Sequence, residues 1–265
     1  MAQITQQSFS YAVIGGLIPA LIWLFFWIKE DCHPEPKRLL FYAFLGGILA
    51  IPPALLFSLI WKSGAGFLFS SPVTAGLATL LGLAFIEETS KYALTKRIIF
   101  WRKDFNEPVD AMVYLMTAAL GFASAENIMY LIPEFAASIY VGIDMGNLRF
   151  LGATLLHTLA SGTLGFFIAH QFCNSKTRQR ISLVTGLLAA TLIHTTFNII
   201  ILNTGSQDIK PALVLVGIVG IFVIFAFEHI KKVHQTCHPA KRCGGRYCPP
   251  ETQTLGTERS IHIVH

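Results

Sequence analysis

Two adjacent carboxylates, Glu87 and Glu88, close an apolar run that begins at Ala75, and Lys91 follows within one helical turn. A charged side chain at the centre of a bilayer costs about 2.5–3.5 kcal/mol on insertion scales, so a chain that keeps two acids and a lysine in such a run has a use for them. On a helix, Lys91 is i,i+4 from Glu87 and i,i+3 from Glu88, and reaches either acid. The two glutamates lie about 100° apart around the axis, so one can pair with Lys91 while the other faces a cavity. Further on stand Glu126, one turn after Phe122 and followed by Asn127, then His157, then His194 with Asn198 at i,i+4. Carboxylates and imidazoles in such a set support two chemistries. They can activate water by general-base catalysis, or they can hold a metal ion with one position open to water. An asparagine at hand can donate to a developing oxyanion. Both routes lead to hydrolysis. Gly-x-Ser-x-Gly, His-Glu-x-x-His, Walker loops and a paired-aspartate arrangement are all absent from the apolar segments.

These residues must be positioned by membrane helices. The chain has 265 residues, of which 53% are hydrophobic and only 13% charged, and its mean hydropathy is +0.57. Soluble domains carry about 25% charged residues. Seven apolar stretches of spanning length read as residues 8–28, 39–61, 73–94, 109–132, 151–172, 181–202 and 211–230. In lipid each must be helical to satisfy its own backbone. The expected fold is therefore an all-α, polytopic transmembrane bundle. Alternate connecting segments carry sixteen Lys/Arg against three, with Lys91 left over. By the positive-inside rule this puts the N-terminus outside and the C-terminus in the cytoplasm. The basic residues form no stripe, which argues against nucleic acid as a partner; the bilayer is the partner expected.

The chain reads as one membrane-embedded domain over 1–230, followed by a basic cytoplasmic tail over 231–265, expected to be disordered. The first span lacks a basic n-region and is too long for a cleaved signal peptide. The five cysteines suggest no disulfide framework. Cys237, His238, Cys243 and Cys248 share the tail at a spacing that matches no standard zinc site. Small residues flank the polar groups, Gly121 to Ala125 and Ala160 to Gly162, and would let helices approach closely.

Glu87-Glu88-x-x-Lys91, Phe122-x-x-x-Glu126-Asn127, the lone His157 and His194-x-x-x-Asn198, in that order, resemble the PrsW family of intramembrane proteases. That family belongs to a wider clan with the CAAX-processing type II endopeptidases, in which a histidine stands where this chain has Glu126. The resemblance covers residues from about 80 to 200. It implies an endopeptidase that cleaves membrane-anchored proteins in or near the bilayer. Glu87 or Glu88 would be the base; Glu126, His157 and His194 would position water or bind a metal, with zinc the ion to expect; Asn198 would support the oxyanion. Lys91, Phe122 and Asn127 would support the site. Anti-sigma factors are the substrates for which the family is known, and a bacterial inner membrane is the location it implies.

Two alternatives stay open at this level: a proton-coupled transporter, since intramembrane Glu and His also mark proton relays, and a non-catalytic scaffold of the same clan. The single-site reading also makes a geometric demand. With span centres near 83 and 120, Glu88 and Glu126 fall roughly 8 and 9 Å to opposite sides of the midplane. One site requires the third helix to run past Lys96, so that the acids approach one another.

Overall fold

The computed structural model describes residues 4–29, 35–69, 71–204 and 208–234. The expected tail, with its three cysteines and His238, lies outside these. Among the described residues there are nine helices and no strand: α1 (Gln6–Ile28), α2 (Lys37–Leu49), α3 (Ile51–Leu68), α4 (Pro72–Ile98), α5 (Asp110–Ala137), α6 (Ile139–Leu151), α7 (Ala153–His170), α8 (Lys176–Thr204) and α9 (Lys210–His234).

Two pairs run on as single rods, so seven rods result. At Ala50 the backbone stays right-handed (φ −75°, ψ −15°), and the rod continues from α2 into α3. Pro52 and Pro53 follow at the start of α3, where a missing N–H and a fixed φ are tolerated. Gly152 joins α6 to α7 (φ −95°, ψ −84°). Six rods are long and apolar enough to cross a membrane. The seventh, α4, carries the Glu87/Glu88/Lys91 group, and it packs against α2, α3, α5, α7 and α8. The chain is a multi-pass membrane protein.

One segment departs from what the sequence predicts. Residues 139–150, expected in a loop, form α6 together with Leu151. Their Gly142, Asp144, Gly146, Asn147 and Arg149 break the apolar run, but Ser138 caps the helix by accepting from the Tyr140 N–H, and Trp23 of α1 donates to the Phe150 carbonyl. Cys173 is disulfide-bonded. Spacing alone does not reveal which cysteines folding brings together.

α5 is the axis of the bundle. Every residue from Asp110 to Ser124 is buried, and α1, α2, α4, α6 and α7 pack around it. Its approach to α2 depends on two reciprocal glycines. A Cβ on Gly47 would lie 1.8 Å from the Ala118 carbonyl oxygen, and one on Gly121 would lie 2.0 Å from that of Phe44. In lipid, where helices associate by packing rather than by the hydrophobic effect, small residues set such distances.

Candidate active site

α4 runs past Lys96 to Ile98 and spans 27 residues, which brings Glu87 and Glu88 close to its middle. Glu126 is likewise close to the middle of α5 (28 residues). The depth mismatch expected from shorter spans therefore disappears. One side chain, His157 of α7, touches both groups: its Nδ1 lies 3.1 Å from Lys91 Nζ, and its Nε2 lies 3.1 Å from Glu126 Oε2.

The two glutamates divide as the helical spacing allows. Glu88 is completely buried and fully engaged. Its Oε1 accepts from Lys91 Nζ at 2.6 Å and from His194 Nδ1 at 2.9 Å; its Oε2 accepts from Ser161 Oγ at 3.0 Å. Lys91 is also fully buried, and its Nζ lies 5.0 Å from the centre of the Phe122 ring. A buried ion pair survives only when the remaining donors and acceptors are satisfied, and here α4, α7 and α8 all contribute to satisfying them. Glu87 is the opposite case. Its Oε2 is buried and has no hydrogen-bond partner, and His194 Nε2 lies 3.6 Å from it.

The imidazole protons follow from these contacts. A carboxylate only accepts, so His194 carries a proton on Nδ1, facing Glu88, and turns its Nε2 towards Glu87. The lysine ammonium only donates, so His157 Nδ1 accepts and its Nε2–H donates to Glu126. The His157 and His194 rings meet edge to face at 4.9 Å, and Phe122 packs on His157 at 5.3 Å. Glu87 Oε2 and His194 Nε2 face each other 3.6 Å apart, beyond hydrogen-bond range.

Glu126 is held from α6. Arg149 Nη2 donates to Glu126 Oε2 at 2.5 Å, and Arg149 Nε donates to Asn127 Oδ1. Asn127 in turn donates to Thr154 Oγ1 at 2.9 Å, and the guanidinium sits 4.2 Å over the Tyr130 ring. Arg149 and Ser161 are the site residues the sequence reading lacked. For Arg149 there was a signal: it is the one basic residue of its loop on the cation-poor side. Removing it alone should cost about 1.5–3 kcal/mol of stability. Combined with Glu126→Gln, Arg149→Met should show a coupling of about 0.5–3 kcal/mol in thermal unfolding of the purified protein. Strict additivity would show that the pair does not act as a unit.

Asn198 is half-buried, one turn beyond His194 on the same helix, with no side-chain hydrogen bond among the described residues. The expected residues thus converge on α4, α5, α7 and α8, but the metal-capable set differs from the expected one. Glu87, His157 and His194 bring ligand atoms within 4.8 Å of one another, and Glu87 takes the place expected of Glu126. The donor set fits a divalent cation: three N/O ligands, an orphaned carboxylate oxygen, and Glu88 behind His194 as an orienting carboxylate. His157 would have to exchange its Glu126 contact for the metal.

A buried glutamate–histidine cluster, enclosed by apolar helices, is the kind of site a membrane-embedded hydrolase needs. The family of PrsW intramembrane metalloproteases matches residues 35–227, and the chain belongs to that family; it is a peptidase. Among its relatives are proteins named Protease PrsW. The one from Bacillus subtilis is 26% identical over 197 residues, covering 72% of this chain and 83% of the relative. The one from Oceanobacillus iheyensis is 25% identical over 210 residues, covering 78% and 92%. The one from Clostridioides difficile is 27% identical over 196 residues, covering 71% and 77%. No solved structure matches the chain.

Proposed function

We propose that the protein is an intramembrane endopeptidase in which Glu87 is the general base, acting on membrane-anchored proteins. The observation that carries this is the buried, unpartnered Glu87 Oε2 opposite His194 Nε2. A water bridging the two donates one proton to Glu87 and is oriented by His194. As the water oxygen attacks the scissile carbonyl carbon, Glu87 takes the proton and later delivers it to the leaving amine. Asn198 donates to the oxyanion that develops. Glu88 and Lys91 do not exchange protons with substrate: they fix the tautomers of His194 and His157. Glu126, neutralised by Arg149, holds the His157 ring.

Glu87, His157 and His194 are the residues that would hold a zinc ion, which would supply a nucleophilic water at neutral pH and polarise the carbonyl. Elemental analysis of the purified protein separates the two routes, with one zinc per chain for the metal-assisted route and none for Glu87 alone. Asn198→Ala should lower turnover about 10²–10³-fold with thermal stability unchanged. A variant that cleaves at the wild-type rate removes Asn198 from the mechanism.

The catalytic unit lies within residues 1–230, with the N-terminus outside and the C-terminus in the cytoplasm, on the strength of the Lys/Arg asymmetry. Reporter fusions at the two ends test the orientation. The relatives' bacterial sources support an inner membrane location, and anti-sigma factors are the first substrates to assay. The direct test of the function is cleavage of membrane-anchored proteins by purified wild type beside Glu87→Gln.

A further inference from the structure

We propose that a cavity at the basic end of the bundle, apart from the glutamate–histidine cluster, binds the phosphate headgroup of an anionic phospholipid. The last turns of α4 and α7, the connection after α4 and the first turn of α8 enclose about 420 Å³. Small-molecule sites run from roughly 300 to 1,000 Å³. Lys96, Lys176 and Arg180 line the cavity, and no acid does. None of these three cations has an ion pair among the described residues. Lys96 only rests over the Tyr92 ring, 5.6 Å from its centre. The first turn of α8, a 29-residue helix, adds the positive end of its dipole. Three uncompensated cations beside a helix N-terminus call for an anion.

The rest of the wall identifies the kind of anion. Phe100 and Phe105 stack at 4.3 Å, and Phe172 packs on Phe105 at 5.5 Å, so the cations are backed by an aromatic floor. Such a floor suits a glycerol backbone and the upper part of an acyl chain, and it gives nothing to a hydrated inorganic ion. The cavity lies where membrane helices end, and Trp101 beside it is 74% exposed, as an interfacial anchor would be. Basic pockets between helices at this depth take anionic headgroups. Tyr92, which lines the cavity, directly follows Lys91. A bound lipid would therefore steady the half of α4 that carries Glu87, Glu88 and Lys91.

The test is native mass spectrometry of the full-length protein released from nanodiscs of phosphatidylcholine mixed with phosphatidylglycerol. Wild type should retain phosphatidylglycerol selectively. Each basic residue contributes about fivefold to anionic-lipid affinity, so Lys96→Gln/Lys176→Gln/Arg180→Gln should lose on the order of a hundredfold. All three positions are exposed, and Lys176→Gln alone should show its own fivefold loss without risk to the fold. Arg97→Gln, exposed on α4 but outside the cavity, should change nothing. Equal retention by wild type and the triple variant would overturn the proposal. So would a loss in Arg97→Gln as large as in Lys176→Gln, which means diffuse surface attraction. Release of the lipid by inorganic phosphate would show a phosphate site rather than a lipid site.

Discussion

Glu87→Gln should abolish cleavage, by about 10²–10⁴-fold, while the protein accumulates in the membrane at the wild-type level. Glutamine keeps the shape of the side chain and removes only its ability to take a proton. Because Glu87 Oε2 has no hydrogen-bond partner to lose, the substitution breaks no network. The measurement pairs cleavage of a membrane-anchored reporter with the thermal midpoint of the purified variant. Near-normal cleavage by Glu87→Gln would move the base elsewhere, and a collapse in abundance would show that Glu87 is structural.

Lys91→Met should do the reverse and remove the protein itself. It leaves Glu88, completely buried, with no cation beside it. Breaking one side of a buried pair costs about 3–5 kcal/mol, against a total stability of roughly 5–15 kcal/mol. Lys91→Met should therefore fail to accumulate, and the little that folds should be inactive, because His157 has lost the donor that fixes its tautomer. Neutralising both partners should repair the fold. In Glu88→Gln/Lys91→Met, the glutamine carbonyl still accepts from His194 Nδ1, and its amide group donates to Ser161 Oγ, which rotates to accept, with no charge left unpaired. Membrane abundance should return in the double variant without full activity. If Lys91→Met alone is as abundant as wild type, the buried pair does not support the fold as described.

The contrast between the two glutamates shows how far the sequence could be read. Helical spacing on α4 already required that one acid pair with Lys91 and the other face elsewhere. It could not say which, because Lys91 reaches both. The choice is made by His194 and Ser161, 106 and 73 residues away from Glu88 along the chain, which converge on it. The membrane helices were legible because hydrocarbon demands long apolar runs. α6 was not, because its polar and glycine residues break the run and its stability comes from packing against α1 and α5. With α6 hidden, Arg149 looked like an isolated loop cation rather than the partner of Glu126. The metal-capable set moved from Glu126 to Glu87 for the same reason, since Glu126 is already committed to Arg149 and His157.

If this cluster hydrolyses peptide bonds of membrane-anchored proteins, its products are new protein termini in the membrane, and these can be mapped in cells that express wild type or Glu87→Gln at equal levels. New termini should appear within or beside the apolar spans of membrane-anchored proteins in the wild-type cells and be absent from the Glu87→Gln cells. The same termini in both, or new termini confined to soluble proteins, would contradict that activity.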